Sequence, residues 1–369
     1  MTPTYRNKLV VAHSTREGAP RHEVDTNLAL ARWLAQILGL KFGGSYDPHK
    51  HAGRELYLLP TQTLVGPAQA RALNVKGPDD LWGGYVDHAF ICTKAISHGL
   101  LSPAATAPEG WSPAFCERVR AVVLDGLSVF AVDDARPAAA RLLNGGPIRL
   151  KPIHACAGRG QEVIHSLDEF DALLARPDVA QLFSHGVVLE QNLHDVVTHS
   201  VGQSFIGDHV FSYCGEQYLT PDGQGEEVYG GSNLLVVPGC YEDLLKLDLS
   251  DDVRLAIEQA EVFDSAALVA YPGFYASRRN YDIAQGLDSD GQRCSGVLEQ
   301  SWRMGGASSA EVAALHSFIN HPGLKAIRVS SVETYVDQAL PADAIEVYRG
   351  PAEHSDFLLK YVTVKAYDG

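Results

Sequence analysis

Two short segments constrain this chain more than anything else in it: Asn280-Tyr281-Asp282-Ile283-Ala284, and Val297-Leu298-Glu299-Gln300-Ser301-Trp302-Arg303-Met304-Gly305-Gly306. Between them lies Asp288-Ser289-Asp290-Gly291, an acidic turn sequence closed by glycine. Strand-like runs flanking such a turn predict a β-hairpin. Side chains alternate along a strand, so Glu299 and Ser301 share a face, with Arg303 shortly beyond. Pairing brings Asp282 and Glu299 to one surface. Two carboxylates beside an arginine suit a divalent cation bridging to a phosphate.

A second candidate lies upstream. Pro147-Ile148-Arg149-Leu150-Lys151-Pro152 alternates apolar and basic residues before the glycine-bearing run His154-Ala155-Cys156-Ala157-Gly158-Arg159-Gly160-Gln161. The alternation turns Ile148 and Leu150 to a core and Arg149 and Lys151 to a cleft. Successive backbone amides of a glycine-rich loop can cradle an anion, and a neighbouring lysine supplies a point charge to phosphate oxygens. The loop is neither G-x-x-x-x-G-K-[ST] nor G-x-G-x-x-G, so the common phosphate and dinucleotide fingerprints are absent from it.

Taken in order, an Arg-x-Lys-Pro strand, a glycine loop, a helix, a strand ending in Glu190-Gln191-Asn192-Leu193 and the Asp282 and Glu299-x-Ser301-x-Arg303 hairpin resemble the ATP-grasp superfamily, over roughly residues 90–320. The chain looks most similar to a bacterial branch for which the resemblance implies a fold and a nucleotide but no substrate. The implied fold is α/β and α+β, with a small α/β lead domain (1–100), a first ATP-grasp subdomain carrying the glycine loop (101–185), a second carrying the metal-binding hairpin (186–320) and a C-terminal extension (321–369). Carried over residue by residue, Lys151, with Arg149 beside it, contacts the α- and β-phosphates. The loop with Gly158, Arg159 and Gly160 closes over them, and Lys94 in Phe90-Ile91-Cys92-Thr93-Lys94 is an earlier ATP-binding lysine. Glu190, Gln191, Asn192 and Leu193 form the hinge that reads the adenine edge, with Glu190 accepting from the exocyclic amine. Asp282, Glu299 and Ser301 bind Mg²⁺, and Arg303 steadies the transferring phosphoryl group.

The implied activity is that of an ATP- and Mg²⁺-dependent ligase, which activates a carboxylate as an acyl phosphate for attack by an amine or related nucleophile. The chain departs from the family pattern at two points. Ser301 stands where an asparagine is usual, a shorter ligand that binds through water or leaves one metal site weaker. The acidic residue that often holds the ribose after the hinge is represented only by Asp195. These departures keep open a nucleotide-binding module without catalysis, and the resemblance leaves a further alternative, an ATP-dependent phosphotransferase acting on a small molecule, as some members of the family are.

The formal net charge of −15 argues against nucleic acid as a partner, because phosphate backbones are bound by clustered Lys and Arg. No run of about 18 apolar residues occurs, which argues against a membrane span, and the amino terminus lacks the apolar core of a secretion signal. A cytoplasmic enzyme is expected, with small-molecule carboxylate and amine partners and a homodimer as the default assembly. Cysteines 92, 116, 156, 214, 240 and 294 form no C-x-x-C pair and read as reduced, mostly buried thiols. The histidines fall into neither H-x-x-x-H nor H-E-x-x-H, which gives no support to a zinc hydrolase.

Along the chain, residues 9–12 read as a strand and 27–38 as a helix, with Leu30, Trp33, Leu34 and Ile37 on its apolar face and Gly39 as its stop. Residues 55–59 read as another strand, giving a βαβ start. Ser112-Pro113 marks a helix entry, and Ser166-Leu167-Asp168-Glu169 reads as a capping box. Residues 200–213 are expected to form a hairpin, 253–268 a long amphipathic helix and 220–233 a polar, glycine-rich loop facing the acceptor substrate or solvent. Strand-like stretches recur at 326–329 and 357–364, with no role assigned.

Overall fold

The computed structural model describes residues 7–15, 18–154, 160–352 and 355–367. Its lead sheet is parallel, with Leu9–His13 at the centre between Lys41–Ser45 and Leu56–Pro60. The crossover helix, Arg21–Leu38, starts six residues before the expected position. Charged residues Arg21, Glu23 and Asp25 break the apolar pattern of its first turn, and Pro20 precedes it. Leu30 and Leu34 are buried while Trp33 and Ile37 pack at the margin of the same core, and Gly39 ends the helix in the left-handed conformation at φ 63°. The strand Lys41–Ser45 is disguised by two glycines. At Gly43 a Cβ would lie 2.9 Å from Val11 Cγ2, so this edge lies against its neighbour without room for a side chain.

A four-stranded sheet follows, ordered Gly126–Val129, Val187–Gln191, Ile148–Pro152 and Glu162–Ile164. Helices Val132–Leu142, Leu167–Leu174 and Val179–His185 cover one face, and Ile148 and Leu150 enter the core they share. Ser112 and Ser166 both act as N-caps, accepting from the amides of Phe115 and Glu169 at 3.2 Å. The reciprocal half of the expected capping box is displaced by one residue, since Glu169 Oε2 accepts from the amide of His165 at 2.8 Å rather than from that of Ser166.

The long sheet is antiparallel and eight-stranded, in the order Arg293–Ser301, Arg278–Leu287, His194–Ile206, His209–Pro221, Glu227–Pro238, Ile327–Thr334, Ser355–Ala366 and Ile345–Ala352. The strands beyond residue 321 thus complete this sheet. Its centre is buried on both faces. Leu234 and Val236 join the core under helix Ser308–Asn320, and the alternating Leu235 and Val237 join the core under helix Asp251–Ala270. Period-2 alternation explains why the run Leu-Leu-Val-Val is continuously apolar, each such side chain contributing about 1.5–3 kcal/mol when fully buried. The core under helix Ser308–Asn320 also contains Val10, Leu30 and Leu34 of the lead sheet and its helix, so the two ends of the chain share one interior.

The expected loop at 220–233 is instead the far end of a hairpin. His209–Pro221 and Glu227–Pro238 pair up to a tight turn at residues 222–226. Of the glycines that suggested a loop, Gly225 serves the turn at φ 84°, whereas Gly230 and Gly231 accommodate close approach. Gly231, at φ 145°, would place a Cβ 2.0 Å from the Ser331 carbonyl oxygen and 2.4 Å from Tyr218 Oη, and the register shifts between Tyr218 and Leu219 opposite it. Five cysteines are described and all are free thiols. Only Cys214 is fully buried; Cys240 is exposed and the other three are intermediate. Cys156 lies outside the described residues.

Candidate active site

A cleft of about 1000 Å³ runs between the long sheet and the four-stranded sheet. It is lined by Lys94, Lys151, Asp282, Glu299, Ser301 and Arg303, residues drawn from three separate regions of the chain.

The metal-type pair is built by strand register. Asp282 stands directly opposite Glu299, and Asn280 opposite Ser301, with a bulge just after Asp282. The turn that sets this register is held by Asp288, whose Oδ1 accepts from the amides of Asp290 and Gln292 at 2.9 and 2.8 Å, with Gly291 at φ 75°. Asp282 Oδ1 accepts from Gln217 Nε2 at 2.7 Å and from Asn280 Nδ2 at 3.1 Å. Asn280 is fixed in turn, since its Oδ1 accepts from Ser200 Oγ and Tyr213 Oη, both at 2.8 Å. Burial, and then the negative charge of Glu299 opposite, push the Asp282 carboxyl up to about 7.

Lys94 enters from a pair of 3₁₀ turns, Ala89–Cys92 and Lys94–Ser97. Gln300 Nε2 donates to the carbonyls of Ile91 and Thr93 at 2.7 and 2.9 Å, and Ser97 Oγ to the carbonyl of Leu298 at 3.1 Å. These bonds stitch the turns to the hairpin, leaving Lys94 Nζ 3.1 Å from Glu299 Oε2. Lys94 is 5% exposed, so its charge acts in a low-dielectric setting.

Lys151 projects from Ile148–Pro152 and forms an ion pair with Glu190 Oε1. Arg149 stands opposite Glu190 in register, and its guanidinium turns to Asn192 Oδ1, at 3.1 Å from Nε and 2.7 Å from Nη2. Glu190, Gln191, Asn192 and Leu193 do not line the cleft. The amides of Gln191 and Asn192 donate to the carbonyls of Asp125 and Pro147 at 2.8 and 3.0 Å, and Leu193 is buried. Of the glycine loop, Gly160 and Gln161 line the cleft, while Gly158 and Arg159 lie outside the described residues. Arg303 Nη1 donates to the Met304 carbonyl at 3.0 Å. The 220–233 segment overhangs the same space with Gln224, Glu226, Glu227 and Tyr229.

Four residues escaped the sequence reading: His98, Gln217, Arg278 and Asn280. Asn280 was within reach, since it lies two residues before Asp282 on one strand face. Gln217 reaches its partner only through sheet pairing, and His98 only because the segment after the turn Lys94–Ser97 packs on the four-stranded sheet, so neither carries a local signal. Arg278 is almost fully buried. Its Nε donates to Glu311 Oε2 at 2.6 Å, and its Nη1 donates to the carbonyls of Ser301, at 3.2 Å, and Arg303.

The donor set fits a divalent cation and a polyphosphate. Two carboxylates face one another, one of them raised to about 7 by burial and then by the other's charge, and two buried ammonium groups line the same cleft.

The chain shares its fold with ATP-grasp proteins of known structure. A phosphoribosylamine–glycine ligase from Thermotoga maritima superposes with a TM-score of 0.50 at 14% identity, covering 97% of this chain and 93% of that one. The biotin carboxylase domain of the Hydrogenobacter thermophilus 2-oxoglutarate carboxylase, solved with MgADP, ADP and bicarbonate, superposes with a TM-score of 0.53 at 10% identity, covering 97% and 86%. The chain therefore has the ATP-grasp fold, with a small α/β lead region. No curated protein matches it by sequence. Residues 10–362 match the family model described as "Protein of unknown function (DUF3182)", and the chain belongs to that family.

Proposed function

We propose that this protein is an ATP- and Mg²⁺-dependent ligase that activates a carboxylate and joins it to an amine or related nucleophile. The observation that carries the reading is the convergence of Lys94 and Lys151 with the facing pair Asp282 and Glu299 on one cleft. Asp282 and Glu299 would hold the cation, with Ser301 beside them; bound there, it supplies charge neutralisation to the terminal phosphates. Lys94 and Lys151 bind the phosphate oxygens, Gly160 and Gln161 close on them, and Arg303 balances the charge that develops on the transferred group. The substrate carboxylate oxygen takes the terminal phosphoryl group as the β–γ oxygen bridge breaks. The amine then displaces phosphate from the acyl carbon.

The first test is titration with a non-hydrolysable ATP analogue, with and without Mg²⁺, on the natural protein and on Lys151→Ala. Magnesium-dependent binding that disappears in the variant supports the reading, and absence of binding to the natural protein overturns it. Glu299→Gln should abolish turnover while the protein stays folded. Ser301, in place of the usual asparagine, favours a second reading as a nucleotide-binding module, which predicts tight binding with no ADP formed across a panel of acids and amines. Product analysis separates ligation from simple phosphotransfer.

A further inference from the structure

We infer that Glu190 is a positioning residue for the phosphate-binding lysine, clamped by His98, and does not read the nucleotide base. The inference rests on the nucleotide reading above and deepens it. Glu190 is 2% exposed and absent from the cleft lining. Each of its two oxygens meets a buried partner, Oε1 Lys151 Nζ and Oε2 His98 Nε2, the latter at 3.1 Å, which aims the carboxylate at these two side chains rather than into the cleft. A base amine would have to reach a carboxylate that is buried and already accepts from two donors.

The arrangement is a built one. Antiparallel pairing sets Arg149 opposite Glu190 and Lys151 opposite Val188, so Lys151 is the diagonal neighbour of Glu190 on one sheet face. His98 arrives from outside the sheet and packs over Gly126, which pairs with Glu190 on its other side. A Cβ at Gly126 would lie 2.7 Å from both His98 Cε1 and Nδ1, so the glycine makes room for this ring. The backbone of the same segment is fastened to the sheet, with the amide of Ser128 donating to the Gly99 carbonyl at 2.9 Å and Ser128 Oγ donating to that of Ala95. His98 and Lys151 are each nearly fully buried, so the three side chains lock one another's rotamers. A lysine held in this way meets the phosphates with its direction already fixed, which reduces the ordering cost of binding.

The test separates phosphate binding from base reading by using three probes with Mg²⁺: a non-hydrolysable ATP analogue, the corresponding GTP analogue and inorganic tripolyphosphate. Glu190→Gln should weaken all three by a similar factor, roughly 10- to 100-fold, the scale on which groups that orient a contacting ligand usually act. His98→Ala should act in the same direction, and His98→Gln, which keeps a side-chain donor, should recover most of the loss. Because Glu190→Gln alone strands a buried ammonium, the decisive comparison is Lys151→Met against Lys151→Met/Glu190→Gln. Equal affinities in that pair support action through the lysine. The inference is overturned if Glu190→Gln weakens the ATP analogue while sparing tripolyphosphate, or if it costs further affinity in the Lys151→Met background. Natural protein that binds none of the three probes overturns the nucleotide reading, and this inference with it.

Discussion

Asp282 and Glu299 face each other across paired strands, and each is steadied by a different part of the chain: Asp282 by the amides of Gln217 and Asn280, Glu299 by the ammonium of Lys94. One oxygen of Asp282 takes both amides, which leaves Oδ2 for a cation. Glu299 already faces a cation, so a metal there either displaces Lys94 or shares the carboxylate with it.

The raised Asp282 carboxyl gives metal binding a pH dependence. Burial and Glu299 hold it near 7, so below that pH a cation has to displace a proton. Magnesium affinity, measured with a non-hydrolysable nucleotide, should fall about tenfold for each pH unit below 7 and level off above it, with one proton released on binding. The sign for folding is opposite to that of an ordinary salt-bridged aspartate. The folded, metal-free protein keeps a proton that the unfolded chain loses near pH 4, so its stability declines as pH rises from about 4 to 7. Calorimetry in buffers of different ionisation heat measures the proton count; an affinity flat from pH 5.5 to 8 would rule this out.

Gln217 reaches Asp282 without being part of a core. Gln217→Ala should therefore leave the melting temperature almost unchanged while weakening magnesium-dependent nucleotide binding by roughly 10- to 100-fold, as removal of an orienting partner does. Equal binding by the variant and the natural protein would show that the 2.7 Å bond does not orient the carboxylate.

How much of this was readable beforehand follows from sequence distance. Asp282 and Glu299 could be placed together because one hairpin holds both, and its turn announces itself through Asp288 and Gly291. The contact of Lys94 with Glu299 was not readable, because it depends on Gln300 grasping Thr93 across 207 residues. Lys151 stood out through its alternating strand, yet its partner Glu190 emerges only when Val187–Gln191 pairs with Ile148–Pro152, and His98 only where a segment 92 residues away packs against Glu190. Gly231 misled because it sits within a strand that approaches a neighbour closely, where sequence rules read a break, and Gly43 occupies the same kind of place in Lys41–Ser45, a strand the sequence analysis did not anticipate.

Arg278 and Glu311 form a buried pair behind the hairpin, and Arg278 also carries the carbonyls of Ser301 and Arg303. Arg278→Met leaves Glu311 as an unpaired buried carboxylate and should destabilise the protein by about 3–5 kcal/mol. The double variant Arg278→Met/Glu311→Leu should recover much of that stability. It should not recover nucleotide binding, because the turn carrying Arg303 has lost its anchor. Denaturant unfolding followed by nucleotide titration on the refolded double variant checks both halves, and full recovery of binding would show that the Arg278 bonds to the turn are dispensable.

The Glu190 clamp should appear in the acid limb of stability. Burial alone would raise this carboxyl, but Lys151 and His98 outweigh it and hold the group down at about 2, against an ordinary value of 4.5. A depressed carboxyl adds stability above the unfolded value and loses it as pH falls through the folded one. The natural protein should therefore exceed Glu190→Gln by about 3–5 kcal/mol at pH 6, the usual cost of breaking a buried pair from one side. That gap should close progressively between pH 4.5 and 2, as the carboxylate takes up its proton and ceases to balance Lys151. Denaturant unfolding of both proteins at steps across that interval measures it. Two curves that stay parallel down to pH 2 would show that Glu190 is not ionised against Lys151 in the folded protein, and the positioning role assigned to it would lose its electrostatic basis.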